Sequence, residues 1–415
     1  MIGGLELKKI PNHLAEAIHW LSEFGKEVGG GVTRPLYSRP WKEAQEALKF
    51  WMEQLGFHPY YDPIGNLFGR LSSLEKDAPV ILVGSHVDTV KSGGKYDGAY
   101  GIIAGILALK YLKQKYGTPK RHIEVVSLCE EEGSRFPLTC SGSGMITGAY
   151  TIESFSGLKG FDGVTFEDAM MEAGLGPFNQ PYTVRGDIHT FIELHIEQGP
   201  VLEKLQKSIG IVETIVGQKR FRVTVEGESN HAGTTLMKWR KDAVRGAVSM
   251  IDLLYSFVKK YDEHLVTTVG QLFVEPNVPN VIAGRVVFSV DARHPSESIL
   301  HSFCQQFLDG FNQIAKKMGL TVYSEQCHEV HPVHMDSELQ SIVKEICTRN
   351  HIPFYRMNSG AGHDAQLFAP FCPTVLFFVP SRDGISHSPL ENTSDQDLEI
   401  GFHVLTQVLH YLAYE

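Results

Sequence analysis

The stretch that decides the fold is Pro79-Val80-Ile81-Leu82-Val83-Gly84-Ser85-His86-Val87-Asp88-Thr89. An unbroken apolar run that stops in a cluster of polar side chains describes a strand covered on both faces, with chemistry at its end. The glycine-rich loop Gly93-Gly94-Lys95-Tyr96-Asp97-Gly98 follows, and then YGIIAGILALKYLKQKYG, residues 100–117, reads as a helix. Ile123 to Cys129 repeats the buried-strand pattern and ends in Glu130-Glu131-Glu132-Gly133. Strand, loop, helix, strand is the grammar of an α/β sheet, in which ligands gather beyond the carboxyl ends of the strands. Upstream, Ala47, Leu48, Trp51, Met52 and Leu55 make one stripe of a packing helix, with Gly56 as its stop.

From about 213 to 330 the periodicity changes. Phe221-Arg222-Val223-Thr224-Val225 alternates as a half-buried strand does. A helix over 242–260 follows, then strands over 265–274 and 281–291. A second helix carries Phe303, Phe307, Phe311, Ile314 and Met318 and stops at Gly319, before a last strand over 320–325. That order, βαββαβ, is ferredoxin-like. Beyond 333 the pattern returns to a helix (339–350), a buried strand (374–379) and a closing helix (395–414). The expected architecture is therefore an α/β catalytic domain, residues 1–212 and 331–415, with a mostly parallel sheet and helices on both faces. Residues 213–330 form an inserted α+β, ferredoxin-like lid or dimerisation domain whose open sheet face or edge strand suits a homodimer.

Composition narrows the function. The 48 acids against 38 bases, net −10 with pI near 6.0, leave no basic footprint for nucleic acid. No apolar run approaches the length of a membrane span, and the N-terminal segment has no uninterrupted apolar core of a signal peptide. The six cysteines are scattered with no Cys-x-x-Cys pair, which points to reduced thiols and a cytoplasmic location.

Four polar clusters carry the chemistry. His86 and Asp88 share a strand face, so the carboxylate can hold the second ring nitrogen of a metal-bound imidazole; a surface loop with one satisfied histidine is the plainer reading. Glu130, Glu131 and Glu132 are either a solvated acidic loop or a cage neutralised by a cation, in which one Glu ligates and its neighbour acts as general base. His195 lies on an alternating strand with Glu193 and Glu197 on its own face. His387, in Gly384-Ile385-Ser386-His387-Ser388-Pro389, stands just past the last buried strand. All four fall at strand ends of the larger domain, and none needs the insert.

The segments GSHVDTV, GGKYDGAYG, EEEGSRFP, HIEQGPVLE, NHAGTTLM, SGAGHDA and GISHSPLE, in this order over about residues 84 to 391, resemble the dinuclear metallopeptidase and amidohydrolase family. Within it they are similar to the ureido-hydrolysing branch, whose members act on allantoate, N-carbamoyl-L-amino acids, ureidoglycolate and β-ureidopropionate. The resemblance implies two divalent metal ions per subunit, zinc or manganese. His86 and His195 would each bind one metal terminally, Asp97 would bridge, Glu132 and His387 would complete the shells, and Glu131 would be the general base. It also implies that His231, in the insert, reaches a neighbouring subunit's site and stabilises an oxyanion. Arg293, whose planar guanidinium suits a carboxylate, would hold the substrate's α-carboxylate with Asn280, and Gln198 and Gly360 would line the same pocket. Gln218 and Arg220 are polar where carbamoyl-amino-acid enzymes tend to be apolar. A buried second ureido group needs such partners, which favours a small-molecule ureido carboxylate, allantoate, hydrolysed to ureidoglycine, ammonia and carbon dioxide. N-carbamoyl-L-amino acid hydrolysis is the alternative, and a non-catalytic metal-binding protein on the same fold the remote one.

Overall fold

In the computed structural model, which describes residues 11–176, 182 and 184–415, the apolar run from Val80 forms a strand, Val80–His86, with every residue buried. In chain order the strands are β1 (His58–Tyr61), β2 (Leu67–Leu71), β3 (Val80–His86), β4 (His122–Leu128), β5 (Ile188–Ile196), β6 (Ile209–Ile215), β7 (Gly217–Glu226), β8 (Val266–Thr268), β9 (Leu272–Glu275), β10 (Arg285–His294), β11 (Thr321–Val330), β12 (Val333–His334), β13 (Phe354–Ser359) and β14 (Thr374–Val379). The chain divides into two compact units, one running to Glu213 and resuming at His334, the other spanning Thr214–Val333.

The first unit is built on a sheet ordered β1-β2-β4-β3-β5-β14-β6-β12, with β13 beside β6. Its centre is parallel, β4 to β3 to β5 to β14, but β1, β2 and β6 pair antiparallel. The sheet is therefore mixed, where a mostly parallel one was expected. The link from Tyr61 to Leu67 is too short for a crossover, so β1 and β2 have to form a hairpin. One sheet face, with Ile81, Val83, Ile192, Leu194, Ile196, Val375, Phe377 and Val379, enters the core with the helices Ala99–Tyr116 and Asp395–Tyr414. The alternate residues of β5 point to the other face, where Phe191 stacks on Phe368 of the short helix Ala365–Phe368. His195 is on that second face by the period of two.

The second unit is a five-stranded antiparallel sheet ordered β11-β7-β10-β8, with β9 also on β10. The helices Ala243–Val258 and Glu297–Met318 cover one face, burying Phe221, Val223, Val290, Phe303, Phe307 and Phe311 among them. The strand expected over 265–274 is broken in two around Gly270: Ser289 exchanges hydrogen bonds with Gln271 there, and the ladder re-forms beyond it. Residues 281–284 precede β10 rather than belonging to it.

Candidate metal centre

Each parallel strand delivers an expected ligand as it ends. His86 is the last residue of β3, Glu131 and Glu132 follow β4, His195 is the penultimate residue of β5, and His387 lies in the loop after β14. Asp97 is brought in by the loop that starts the Ala99–Tyr116 helix. Gly98, at φ 64°, makes this turn, because a Cβ there would overlap the His86 carbonyl and ring.

Asp97 is the hub, and its two oxygens face different partners. Oδ1 lies 3.1 Å from His195 Nε2 and 3.5 Å from His86 Nε2. Oδ2 lies 3.2 Å from His387 Nε2, which is itself 3.5 Å from Glu132 Oε1. His86, Asp97 and His195 thus form one triad, and Asp97, Glu132 and His387 a second. His86 and His195 both face the same oxygen of Asp97, and His86 also groups with Glu131 and Glu132.

The donor set fits a pair of divalent ions. In a tetrahedral shell with bonds of about 2.0–2.2 Å, two ligand atoms lie about 3.3–3.6 Å apart, close to the separations above. The rings are also oriented for ligation. His195 Nδ1 is 2.9 Å from the Ile196 carbonyl and His86 Nδ1 is 3.0 Å from the Asp88 carbonyl, so each Nδ1–H donates to backbone and each Nε2 is the nitrogen turned toward Asp97, able to ligate once it gives up its proton. His195 Nε2 also lies 3.0 Å from the Gly98 nitrogen. Imidazole and carboxylate donors without thiolate suit zinc or manganese alike.

Asp88 does hold His86, through its backbone oxygen and not its carboxylate, which is 4.0 Å from the ring. The carboxylate instead accepts the N–H groups of Glu131 at 3.3 Å and Glu132 at 3.1 Å. It fixes the three-carboxylate loop, and within that loop the residues separate. Glu130, at φ 49°, turns away to accept the N–H groups of Arg135 and Phe136. Glu131 Oε2 faces His86 Nε2 at 3.8 Å, and Glu132 faces His387.

The electrostatics follow from burial and proximity. Burial pushes the Glu131 carboxyl well above the usual range against the pull of His86, and Glu132 and Asp364 push the same way. Burial and the Asp97 charge bring Glu132 up to about 7. Burial would raise Asp97 too, but hydrogen bonds from His195, His387 and His86 hold it well below. His387 is raised to about 9 by Asp97, with Glu132 adding to it. Acids and imidazoles packed this closely are a charge arrangement that divalent cations would neutralise.

Other expected residues fall in separate places. Gln198, at φ 57°, donates its Nε2 to Asp97 Oδ2 at 2.8 Å and is 3.3 Å from His387 Nε2, so it belongs with the triads. Gly360 follows β13 with open space around its α-carbon. In the second unit, Asn280 is next to the His231 segment, its carbonyl accepting the Ala232 N–H at 2.9 Å. His231 is exposed and its Nδ1 accepts N–H groups from Gly233 and Thr234, so its proton sits on Nε2, facing outward. Gln218, Arg220 and Arg293 meet around one carboxylate, Asp291.

Several contacts escaped the sequence reading. Glu391, 5% exposed, accepts the N–H groups of Tyr96 at 2.9 Å and Asp97 at 3.2 Å and the Ser386 hydroxyl at 2.7 Å. It therefore ties the Asp97 loop to the His387 loop. His363 packs edge-on against His195 with ring centroids 4.7 Å apart. Glu193 accepts from Ser85 Oγ and the Ala365 N–H, while Glu197, expected beside it, caps the Val201–Leu205 helix instead. The signal for Glu391 was its place at the end of the GISHSPLE segment, four residues after His387.

A family model described as peptidase family M20/M25/M40 matches residues 82–411. The chain is 45% identical over 405 residues to a Bacillus subtilis allantoate amidohydrolase, covering 98% of each chain. It is 35% identical over 396 residues to a Geobacillus stearothermophilus N-carbamoyl-L-amino acid amidohydrolase, covering 95% of this chain and 96% of the other. Among solved structures, a Burkholderia multivorans amidase of the hydantoinase/carbamoylase family superposes with a TM-score of 0.92 at 34% identity, over 97% of each chain.

Proposed function

The chain belongs to peptidase family M20/M25/M40, in the branch that holds allantoate and N-carbamoyl-L-amino acid amidohydrolases, and from that premise we propose that it hydrolyses the ureido C–N bond of allantoate. The observation that carries the reading is the two-sided Asp97, with His86 and His195 on one oxygen and Glu132 and His387 on the other side. Two divalent cations, zinc or manganese, held there would acidify a shared water and polarise the ureido carbonyl.

The remaining work falls to side chains. Glu131, half-buried and with its carboxyl raised, takes the proton of the attacking water and returns it to the leaving nitrogen. Water adds to the ureido carbon, the terminal C–N bond breaks, and ammonia leaves. The resulting carbamate loses carbon dioxide to give ureidoglycine. His231 presents Nε2–H as a donor for the oxyanion, and Arg293 with Asn280 receives the α-carboxylate. Gln218 and Arg220 suit the second ureido group, and Gln198 and Gly360 border the reacting one. We read the second unit as a ferredoxin-like lid through which two copies pair. A cytoplasmic setting fits six cysteines that are all free thiols. Among the described residues no helix is long and apolar enough to cross a membrane.

The test is ammonia release from a panel of ureido acids. Allantoate should be the best substrate by kcat/KM. N-carbamoyl-L-methionine outperforming it would overturn the choice of substrate in favour of the carbamoyl-amino-acid reading.

A further inference from the structure

The face of the second unit turned away from its helices carries a cluster centred on Asp291, a residue with no part in the reaction scheme. β7 and β10 are antiparallel, with Asp291 directly opposite Arg220 and Arg293 opposite Gln218. The alternate residues Phe221, Val290 and Ala292 enter the core beneath the helices, so these four side chains share the uncovered face. Three of them converge on the fourth. Asp291 Oδ2 accepts Gln218 Nε2 at 2.6 Å and Arg220 Nε at 2.7 Å, and Oδ1 accepts Arg293 Nε at 2.8 Å. A further contact from Arg293 Nη2 to Oδ2 measures 3.3 Å.

A carboxylate only accepts, and this decides how its neighbours face. Gln218 has to turn its amide NH2 toward Asp291, which directs its amide oxygen away. Arg220 spends Nε on Asp291, and its two Nη nitrogens have no partner among the described residues. The outcome is a hydrogen-bond acceptor and a pair of donors held side by side. A ureido group, –NH–CO–NH2, has the matching pattern: its N–H groups suit the Gln218 oxygen and its carbonyl suits the Arg220 fork. Two guanidiniums against one carboxylate leave the cluster at a formal charge of +1, which favours a carboxylate-bearing ligand.

We propose that Asp291 is a specificity-determining positioning residue, which makes Gln218 and Arg220 a reader of the substrate's second, non-reacting ureido group while fixing the plane of the Arg293 guanidinium. This rests on the reading of the protein as an allantoate hydrolase and adds the residue on which its selectivity depends. Without the carboxylate, the Gln218 amide can flip and Arg220 can swing away, so donor and acceptor no longer stand in register.

The test compares allantoate with N-carbamoyl-L-methionine, which shares the α-carboxylate and the reacting ureido group and lacks the second one. Steady-state kinetics are measured for wild type, Asp291→Asn, Gln218→Leu, Arg220→Met and the double variant Asp291→Asn/Gln218→Leu. Gln218→Leu and Arg220→Met should each lower kcat/KM for allantoate about 10- to 50-fold, chiefly through KM, because a buried polar group loses its partner. Each should change N-carbamoyl-L-methionine less than about threefold, since that compound has no such group. Asp291→Asn, acting through Arg293 as well, should weaken both substrates but penalise allantoate at least about tenfold more. Adding it to Gln218→Leu should then cost less selectivity than Asp291→Asn costs alone, because only Arg220 is left for the carboxylate to hold. Equal losses on both substrates in Asp291→Asn would make Asp291 a support for Arg293 alone and overturn the proposal. If that variant does not fold, Gln218→Leu and Arg220→Met carry the test from a half-exposed and an exposed position respectively, and an unchanged substrate ratio in both overturns it. A wild-type protein that releases ammonia from neither compound overturns the ureido reading and this inference together. A wild type active on allantoate whose variants keep the wild-type ratio overturns only the inference.

Discussion

Glu391 offers the sharpest perturbation of the centre, because it touches no expected ion and yet holds two expected ligands. Its Oε1 accepts both backbone N–H groups, from Tyr96 and Asp97, and its Oε2 accepts Ser386 Oγ. Glu391→Ala leaves two buried N–H groups without partners and releases the His387 loop. Charge-assisted bonds of this kind contribute about 1.5–3 kcal/mol each, and loss of a group that orients metal ligands costs about 10- to 100-fold in metal affinity. That range corresponds to about 1.4–2.7 kcal/mol. Glu391→Gln is the informative control, since its amide oxygen can keep both N–H bonds while its NH2 donates to Ser386, so affinity should stay within about threefold. Gly94→Ala approaches the same point from the other side: a Cβ there would overlap the Glu391 carboxylate and push it out. Competition against a chromogenic chelator measures all three. Glu391→Ala binding metal as tightly as wild type would refute the reasoning, as would Glu391→Gln losing as much as Glu391→Ala.

Three further outcomes follow from the same structure. Glu131→Gln should lower kcat by about 10²- to 10⁴-fold with ion content unchanged by elemental analysis; activity within tenfold of wild type would remove Glu131 as the base. Metal loading should release protons. In the metal-free site Glu132 is raised to about 7 and His387 to about 9, so at pH 7 the first is partly and the second largely protonated. Ligands bind deprotonated, so affinity should rise with pH through this range, and calorimetry in two buffers of different ionisation enthalpy should report proton release; a buffer-independent heat contradicts this. In the second unit, Phe307 is fully buried against Phe221, Phe303 and Phe311, and Phe307→Ala should cost about 3–5 kcal/mol in denaturant unfolding, with a loss under 1 kcal/mol counting against this core.

How far the sequence speaks depends on the range of the interaction. That His86, Glu132 and His195 meet at one edge of the sheet was legible, because an apolar strand that ends in a charged or imidazole side chain has to put it somewhere, and sheets of this class put it at one edge. The helix Asp395–Tyr414 and strand Thr374–Val379 were equally plain, each being a long periodic or unbroken apolar run. The fate of Glu130 was not legible: which of three adjacent carboxylates turns away is decided by one left-handed φ and two backbone donors at 135 and 136. Nor was the choice at Asp88 between carbonyl and carboxylate, since both belong to the same residue and only geometry separates them. Glu391 and Asp291 were missed for a different reason. Their roles come from partners almost 300 residues away in one case and across a strand pair in the other, which the local sequence around each does not reveal. The split of the 265–274 strand and the antiparallel flanks of the larger sheet likewise depend on pairing, which period alone does not reveal.

The central claim is that Asp97 joins two ion sites that act together on a ureido bond. Its most direct test is to strip the protein with a chelator and titrate it with manganese or zinc while following ammonia release from allantoate. The account predicts no turnover in the stripped protein and a rise that breaks at two ions per chain, both features disappearing in Asp97→Asn. Full activity at one ion per chain, turnover that survives chelation, or an Asp97→Asn protein that still loads two ions would contradict it.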